Sequence, residues 1–300
     1  MKNRIISIAL LAVLSISSCA GKATSSSATA DAIILTSATF LADITRNVAG
    51  ERLSVESLLP VGADPHAYQP TPRDVTKIVQ SKLLIINGAE YEHFLEPLLE
   101  NAEGERDVIE ASAGLSPRTD AGNEHGVDPH LWLDPNNVIV YVENIREALT
   151  HFDPDGAALH KSNADVYVAQ LRDLDVWINE QVSQIAPEKR LLVTNHAALG
   201  YFADRYGFTV IGAVVPGVSS DASASAQQMA ALIDQIKANS ARAVFLDEVE
   251  NPALAQQIAD ETGVKVVEDL HLESLTDGPP ATTYIDMMKH NVTRIVEALK

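Results

Sequence analysis

Residues 155–185 read DGAALHKSNADVYVAQLRDLDVWINEQVSQI, and the fold is decided by this stretch and its flanks. Leu171, Leu174, Ile178, Val182 and Ile185 recur at intervals of three and four. That spacing makes one apolar helical face, and Pro187 stops the helix. Before it, short apolar runs alternate with amphipathic segments. Strands are expected over 32–36, 53–59, 82–87 and 107–109, and helices over 40–49, 71–80 and 91–100. After it the pattern recurs, with strands over 190–194, 209–215, 242–246 and 265–267 and helices over 197–206, 224–239, 252–262 and 282–299. Such alternation predicts parallel sheets with helices on both faces. The expected fold class is therefore α/β, with two lobes, each a mainly parallel sheet flanked by helices, joined by a long connecting helix. The N-terminal lobe is expected over 31–152, the connector over 153–187 and the C-terminal lobe over 188–300. No residue-level repeat relates the two halves. A helical connector is stiffer than a coil, which argues against a large hinge closure.

The composition narrows the function. Of 300 residues, 41 are acidic and 22 basic, a formal charge of −19. An acidic surface of this size argues against nucleic acid or anionic lipid as a partner of the folded body. It suits a monomeric soluble protein that meets cations. Cys19 is the only cysteine, so no disulfide and no cysteine-based zinc cluster can form within the chain. Any metal site must use His, Asp and Glu.

At the N-terminus, Lys2 and Arg4 precede an apolar run over 5–16 broken by Ser7 and Ser15, and Ile16-Ser17-Ser18-Cys19 follows. Basic, apolar, then small residues is the layout of a secretory signal, here 1–18. The run is too short for a transmembrane helix. Cys19 stands where a bacterial lipobox has the cysteine that becomes the first mature residue and carries lipid. Loss of Lys2 and Arg4 would take the formal charge from −19 to −21. Residues 19–30 are small and polar and read as a flexible tether. The chain is expected to be exported and lipid-anchored to a bacterial membrane, on its periplasmic or cell-surface side.

Three segments place a histidine at a strand-to-helix loop, where ligand sites of open α/β sheets collect. The first is Gly62-Ala63-Asp64-Pro65-His66-Ala67-Tyr68-Gln69-Pro70-Thr71-Pro72, in which Thr71 can cap a helix with Pro72 at its first position. The second is Val127-Asp128-Pro129-His130-Leu131-Trp132-Leu133-Asp134-Pro135, where Asp128 or Asp134 could orient the imidazole. The third runs from Leu191 through Thr194-Asn195-His196-Ala197-Ala198-Leu199-Gly200-Tyr201-Phe202, with His196 at the carboxyl end of an apolar strand. One Asp-Pro-His tripeptide is a weak signal; two in one chain, each before a helix, are much stronger. His93, His151, His160 and His290 fall in helical or linker segments and are expected at the surface.

These segments resemble the family of metal-binding solute-binding lipoproteins of ABC transporters, which handle zinc or manganese. The resemblance covers nearly the whole chain and includes the lipobox and the closing Tyr284-Ile285-Asp286-Met287-Met288-Lys289-His290-Asn291. It implies two lobes joined by a long helix, with a metal ion held between them and handed to an ABC permease in the membrane. It implies His66 and His130 as ligands from the first lobe and His196 as the third. Manganese members usually have Glu at that third position and zinc members His. The fourth ligand is commonly an Asp in the last loop, and Glu273-Ser274-Leu275 aligns with that pattern. Asp277, His271 and water remain rivals to Glu273. Zinc members often carry a long His- and acid-rich loop; here residues 120–126 are short and hold only His125.

Three imidazoles and one carboxylate make a four-coordinate site that Zn2+ accepts readily, whereas Mn2+ favours harder oxygen ligands. The expectation is a zinc-binding importer component with no catalytic step. Manganese is the alternative, and a zinc hydrolase or a surface adhesin ranks lower. Neither His-Glu-x-x-His nor Gly-x-Ser-x-Gly is present to support a hydrolase.

Overall fold

The computed structural model describes residues 33–119, 126–215, 217–218, 220, 224–247 and 252–300; Cys19, the signal, the tether and His125 lie outside them. The first sheet contains β1 (Ile33–Thr36), β2 (Ser54–Ser57), β3 (Ser81–Ile86) and β4 (Asp107–Glu110), all parallel, in the order β2-β1-β3-β4. The second contains β5 (Leu191–Thr194), β6 (Thr209–Ala213), β7 (Ala243–Asp247) and β8 (Lys265–Leu270), again parallel, in the order β6-β5-β7-β8. The two lobes are thus wound alike despite having no sequence repeat. The expected α/β class with two lobes and a long connecting helix is the one observed.

The helices are α1 (Thr39–Ala49), α2 (Pro72–Gln80), α3 (Glu96–Asn101), α4 (Pro135–Phe152), α5 (Ala157–Val182), α6 (Gly200–Tyr206), α7 (Ala226–Asn239), α8 (Ala253–Thr262) and α9 (Tyr284–Leu299). At the start of α2, Thr71 is extended and Pro72 takes the first helical position. The Asp74 carboxylate accepts from the Thr71 N–H at 2.8 Å and from its hydroxyl at 2.7 Å. Among the described residues no helix is long and apolar enough to cross a membrane.

The connector α5 is more than a strut. Its buried stripe packs against α1 and α4 from the first half of the chain and α9 from the second. One apolar cluster therefore runs from β1 and α1 through Leu171 and Ile178 to Met287 and Val292. Separate smaller clusters fill the outer faces of the two sheets, around Leu84 and Leu58 in one and Val244 and Leu246 in the other.

Two local expectations are corrected. His160 is fully buried rather than at the surface, because the α5 stripe extends back through Tyr167 and Ala164 to it. There its Nε2 lies 3.2 Å from Asp153 Oδ2, and Asp153 also pairs with Arg52. The helix expected over 91–100 starts only at Glu96. Ala89 and Glu90 have positive φ values of 50° and 62° and turn the chain. The Glu92 carboxylate then bonds back to the N–H groups of Asn87 and Gly88, which holds 91–95 as turns.

Candidate metal centre

The carboxyl ends of both sheets supply the centre. His66 lies between β2 and α2, His130 between β4 and α4, His196 just after β5, and Glu273 after β8. The two Asp-Pro-His segments use one device. Asp64 Oδ1 accepts the His66 N–H at 2.9 Å, and Asp128 Oδ1 accepts the His130 N–H at 3.0 Å. Each Asp folds the backbone into a tight turn through its own side chain, and the intervening proline stiffens it. Asp128 Oδ1 also lies 2.8 Å from His130 Nδ1, which leaves Nε2 facing the centre. Of the two candidates for orienting His130, Asp128 does so, while Asp134 caps α4 by accepting from the Asn136 N–H.

The structure brings His66, His130, His196 and Glu273 together, one donor atom from each lying within 4.8 Å of all the others. Glu273 Oε1 is 2.8 Å from His130 Nε2, 3.3 Å from His196 Nε2 and 3.8 Å from His66 Nε2. The Nε2 atoms of His130 and His196 are 3.4 Å apart. Donors about 2.1 Å from a tetrahedral ion would stand about 3.4 Å from one another. The four side chains are nearly sealed from solvent, and His66 Nε2 and Glu273 Oε2 are buried without a hydrogen-bond partner. Buried polar atoms left unpaired are costly, so this is an arrangement that a cation would satisfy.

Electrostatics point the same way. Burial by itself would lift the Glu273 pKa, yet the charge of His130 and the hydrogen bonds from His130 and His196 hold it well below the usual carboxylate range. Burial by itself would lower His130, but Glu273 and Asp128 outweigh it and raise its pKa to about 9. Among the described residues no Lys or Arg pairs with Glu273; its ion-pair partners there are the three imidazoles.

Asp277 and His271 stay outside the cluster. Asp277 is exposed and borders a different surface cavity with Thr39 and Arg46. His271 is buried, with its backbone clamped by Asn291 and its ring 5.1 Å from that of His290. Two supporting residues were not singled out from the sequence. Asp247, at the end of β7, accepts from the N–H groups of Leu272 and Glu273 and so fixes the Glu273 loop. Ser274, beside Glu273, accepts from the Gly62 N–H at 2.9 Å and binds the two lobes at the centre. The signal for Asp247 was an acidic residue closing an otherwise apolar strand; Ser274 carried none.

The model of one protein family, the periplasmic zinc-uptake complex component A, matches residues 34–298. The chain belongs to this family. Its members include solute-binding proteins of metal ABC transporters, and this chain is a metal-binding importer component of that kind. It is 36% identical over 270 residues to the manganese-binding lipoprotein MntA of Halalkalibacterium halodurans, covering 89% of this chain and 88% of that one. It is 33% identical to the iron-binding protein YfeA of Yersinia pestis, covering 88% and 85% of the two chains. Among solved structures, the periplasmic zinc-binding protein TroA from Treponema pallidum superposes with a TM-score of 0.82 at 28% identity, covering 90% of this chain and 99% of that one. Three relatives are thus named for three metals, so membership of the family does not choose among them.

Proposed function

We propose that this protein captures Zn2+ through His66, His130, His196 and Glu273 and delivers it to a membrane permease. The observation that carries the reading is the closed donor set, three imidazoles and one carboxylate spaced for a tetrahedral ion and drawn from both lobes. The fourth position is filled by Glu273, so no open coordination site is left for a hydrolytic water. We further propose export through the 1–18 signal and a lipid anchor on Cys19, with the 19–30 tether leading to a lobe over 31–152, the 153–187 connector and a lobe over 188–300. The names of the relatives as lipoproteins support the anchor.

The second reading is Mn2+, favoured by the name of the 36% identical relative. The donor set argues for zinc, since manganese prefers harder oxygen ligands and higher coordination. Competition calorimetry with both metals tests the reading. Single replacements of His66, His130 or His196 by Ala should weaken zinc binding strongly, and Glu273→Ala moderately, because water can occupy its place. Asp277→Ala and His93→Ala should change nothing. Three His variants that bind zinc like wild type would refute the site; wild type that selects manganese at equal concentrations would refute the metal.

A further inference from the structure

His130 and His196 follow strands of different sheets, yet their Nε2 atoms stand 3.4 Å apart. A contact between the lobes must hold the two loops in that relation. Tyr201, the second residue of α6 and five residues after His196, is buried at such a contact. Its hydroxyl donates to the Asp128 carbonyl at 2.7 Å and accepts the Arg118 N–H at 2.8 Å. Arg118 and Asp128 pair as a short antiparallel bridge, in which the Asp128 N–H donates to the Arg118 carbonyl at 3.0 Å. The phenol of the second lobe stands in the other rung of this bridge, between the Arg118 N–H and the Asp128 carbonyl.

The surrounding groups close the joint. Arg118 Nε lies 3.7 Å from Asp128 Oδ2, its guanidinium carbon is 5.8 Å from the centre of the Tyr201 ring, and its Nη1 pairs with Asp204 of α6. Gly200 allows the close approach, since a Cβ there would stand 2.8 Å from Arg118 Nε and 2.9 Å from Asp128 Oδ2. Asp128 in turn accepts the His130 N–H and lies 2.8 Å from His130 Nδ1.

We propose that Tyr201 is a positioning residue of the metal centre: its hydroxyl locks the His130 turn of the first lobe onto the helix that follows His196, and so presets the spacing of these two donors for a tetrahedral ion.

The inference rests on the reading of His130 and His196 as ligands. Tyr201 acts through Asp128, whose backbone it holds and whose carboxylate aims the imidazole. Donors set in place beforehand lose little freedom when the ion binds, so the effect appears in affinity. Without the hydroxyl, the Arg118 N–H and the Asp128 carbonyl each lose a partner, and the turn is free to shift relative to His196.

The test is Tyr201→Phe in the full chain, which keeps the ring and removes only the hydroxyl. Tyr206→Phe is the matched control. It also removes a buried hydroxyl from α6, but one that bonds Asp175 Oδ1 of α5 at 2.9 Å. Zinc affinity is read by competition with a chromophoric chelator. Site geometry is read with Co2+, whose visible absorption is strong in a tetrahedral site and weak in a six-coordinate one. Tyr201→Phe should bind zinc about tenfold more weakly, the lower end of the loss expected when a ligand's support is removed, and its Co2+ bands should shift or fade. Tyr206→Phe should match wild type in both measurements. Gly200→Ala keeps the hydroxyl but wedges α6 away from Asp128, so it gives a second reading and should move both measurements as Tyr201→Phe does. Tyr201→Phe and Gly200→Ala variants that melt at lower temperature without metal, yet keep wild-type zinc affinity and Co2+ spectrum, would overturn the proposal and leave Tyr201 as packing alone. Equal effects of Tyr201→Phe and Tyr206→Phe on the centre would overturn it too. His130→Ala and His196→Ala separate this failure from failure of the site. Zinc retained by those two variants refutes the ligands, whereas zinc lost by them and retained by Tyr201→Phe refutes only the role of Tyr201.

Discussion

At the residue scale, the Asp-Pro-His turns show how a tripeptide presents a donor: the aspartate bonds the histidine N–H and the proline limits the alternatives. Asp128 does more than Asp64, because the same Oδ1 also lies 2.8 Å from His130 Nδ1. Asp128→Asn should therefore weaken zinc by about 10- to 100-fold without removing a metal contact, the usual cost of losing such a support. Asp134→Asn, at a helix cap, should leave affinity unchanged; equal losses in the two variants would refute the role given to Asp128. The raised pKa of His130, about 9, sets the proton balance. Metal takes the neutral imidazole, so at pH 7.5 zinc must displace the proton that His130 carries, releasing about one proton per ion. Affinity should climb about tenfold per pH unit from this group until pH passes about 9, then level off. Calorimetric enthalpies measured in buffers of different ionisation heat give the proton count, and a count of zero would sink this account. The three histidines were legible because each sits in a distinctive loop. The choice of Glu273 over Asp277 and His271 was not, because all three lie within seven residues of chain and only the path of the loop after β8 decides which one turns inward.

At the element scale, α5 was legible from Leu171 onward because its apolar residues recur at helical spacing. The same face continues to His160, which a hydropathy pattern reads as polar and therefore exposed; burial depends on the Asp153 partner, which periodicity does not show. Helix α4 was expected after the His130 loop but without bounds, although Val138, Tyr141, Val142, Ile145 and Leu149 form a helical stripe behind the Asp134-Pro135 cap. The junction before α5 is tight. A Cβ on Gly156 would stand 2.6 Å from both Arg52 Nε and His160 Nε2 and collide with Asp153 Oδ2. Gly156→Ala should thus disturb a mostly buried charge cluster and cost about 2–4 kcal/mol in urea unfolding. Gly278→Ala, where a Cβ meets nothing within 4 Å, should stay within about 0.5 kcal/mol of wild type. Equal stabilities for the two variants would contradict the packing described at Gly156.

At the scale of the whole molecule, the lobes are joined in two ways, and each has a thermal signature. The first is the shared core: one apolar cluster passes from the first sheet through α5 to α9, and Tyr284 bonds Asp43 through its N–H and the Trp132 carbonyl through its hydroxyl. Two sheets that share a core should unfold together, so scanning calorimetry of chelator-treated protein should show one transition. The second is the metal itself, since His66 and His130 follow strands of one sheet and His196 and Glu273 strands of the other. An unfolded chain cannot assemble that set, so bound zinc stabilises the folded state by mass action, about 4 kcal/mol at a free concentration a thousand times its dissociation constant. For a chain of this size that is a rise in melting temperature on the order of 10 °C. His93→Ala should show the full rise, because His93 is exposed and apart from the centre. His66→Ala and His196→Ala should each lose most of it, although they remove ligands from opposite lobes. Loss of the rise in both variants, with the untreated melt nearly unchanged, is the result expected of an ion that bridges the lobes. Zinc-loaded and chelator-treated protein melting together would show that the four side chains hold no ion of consequence.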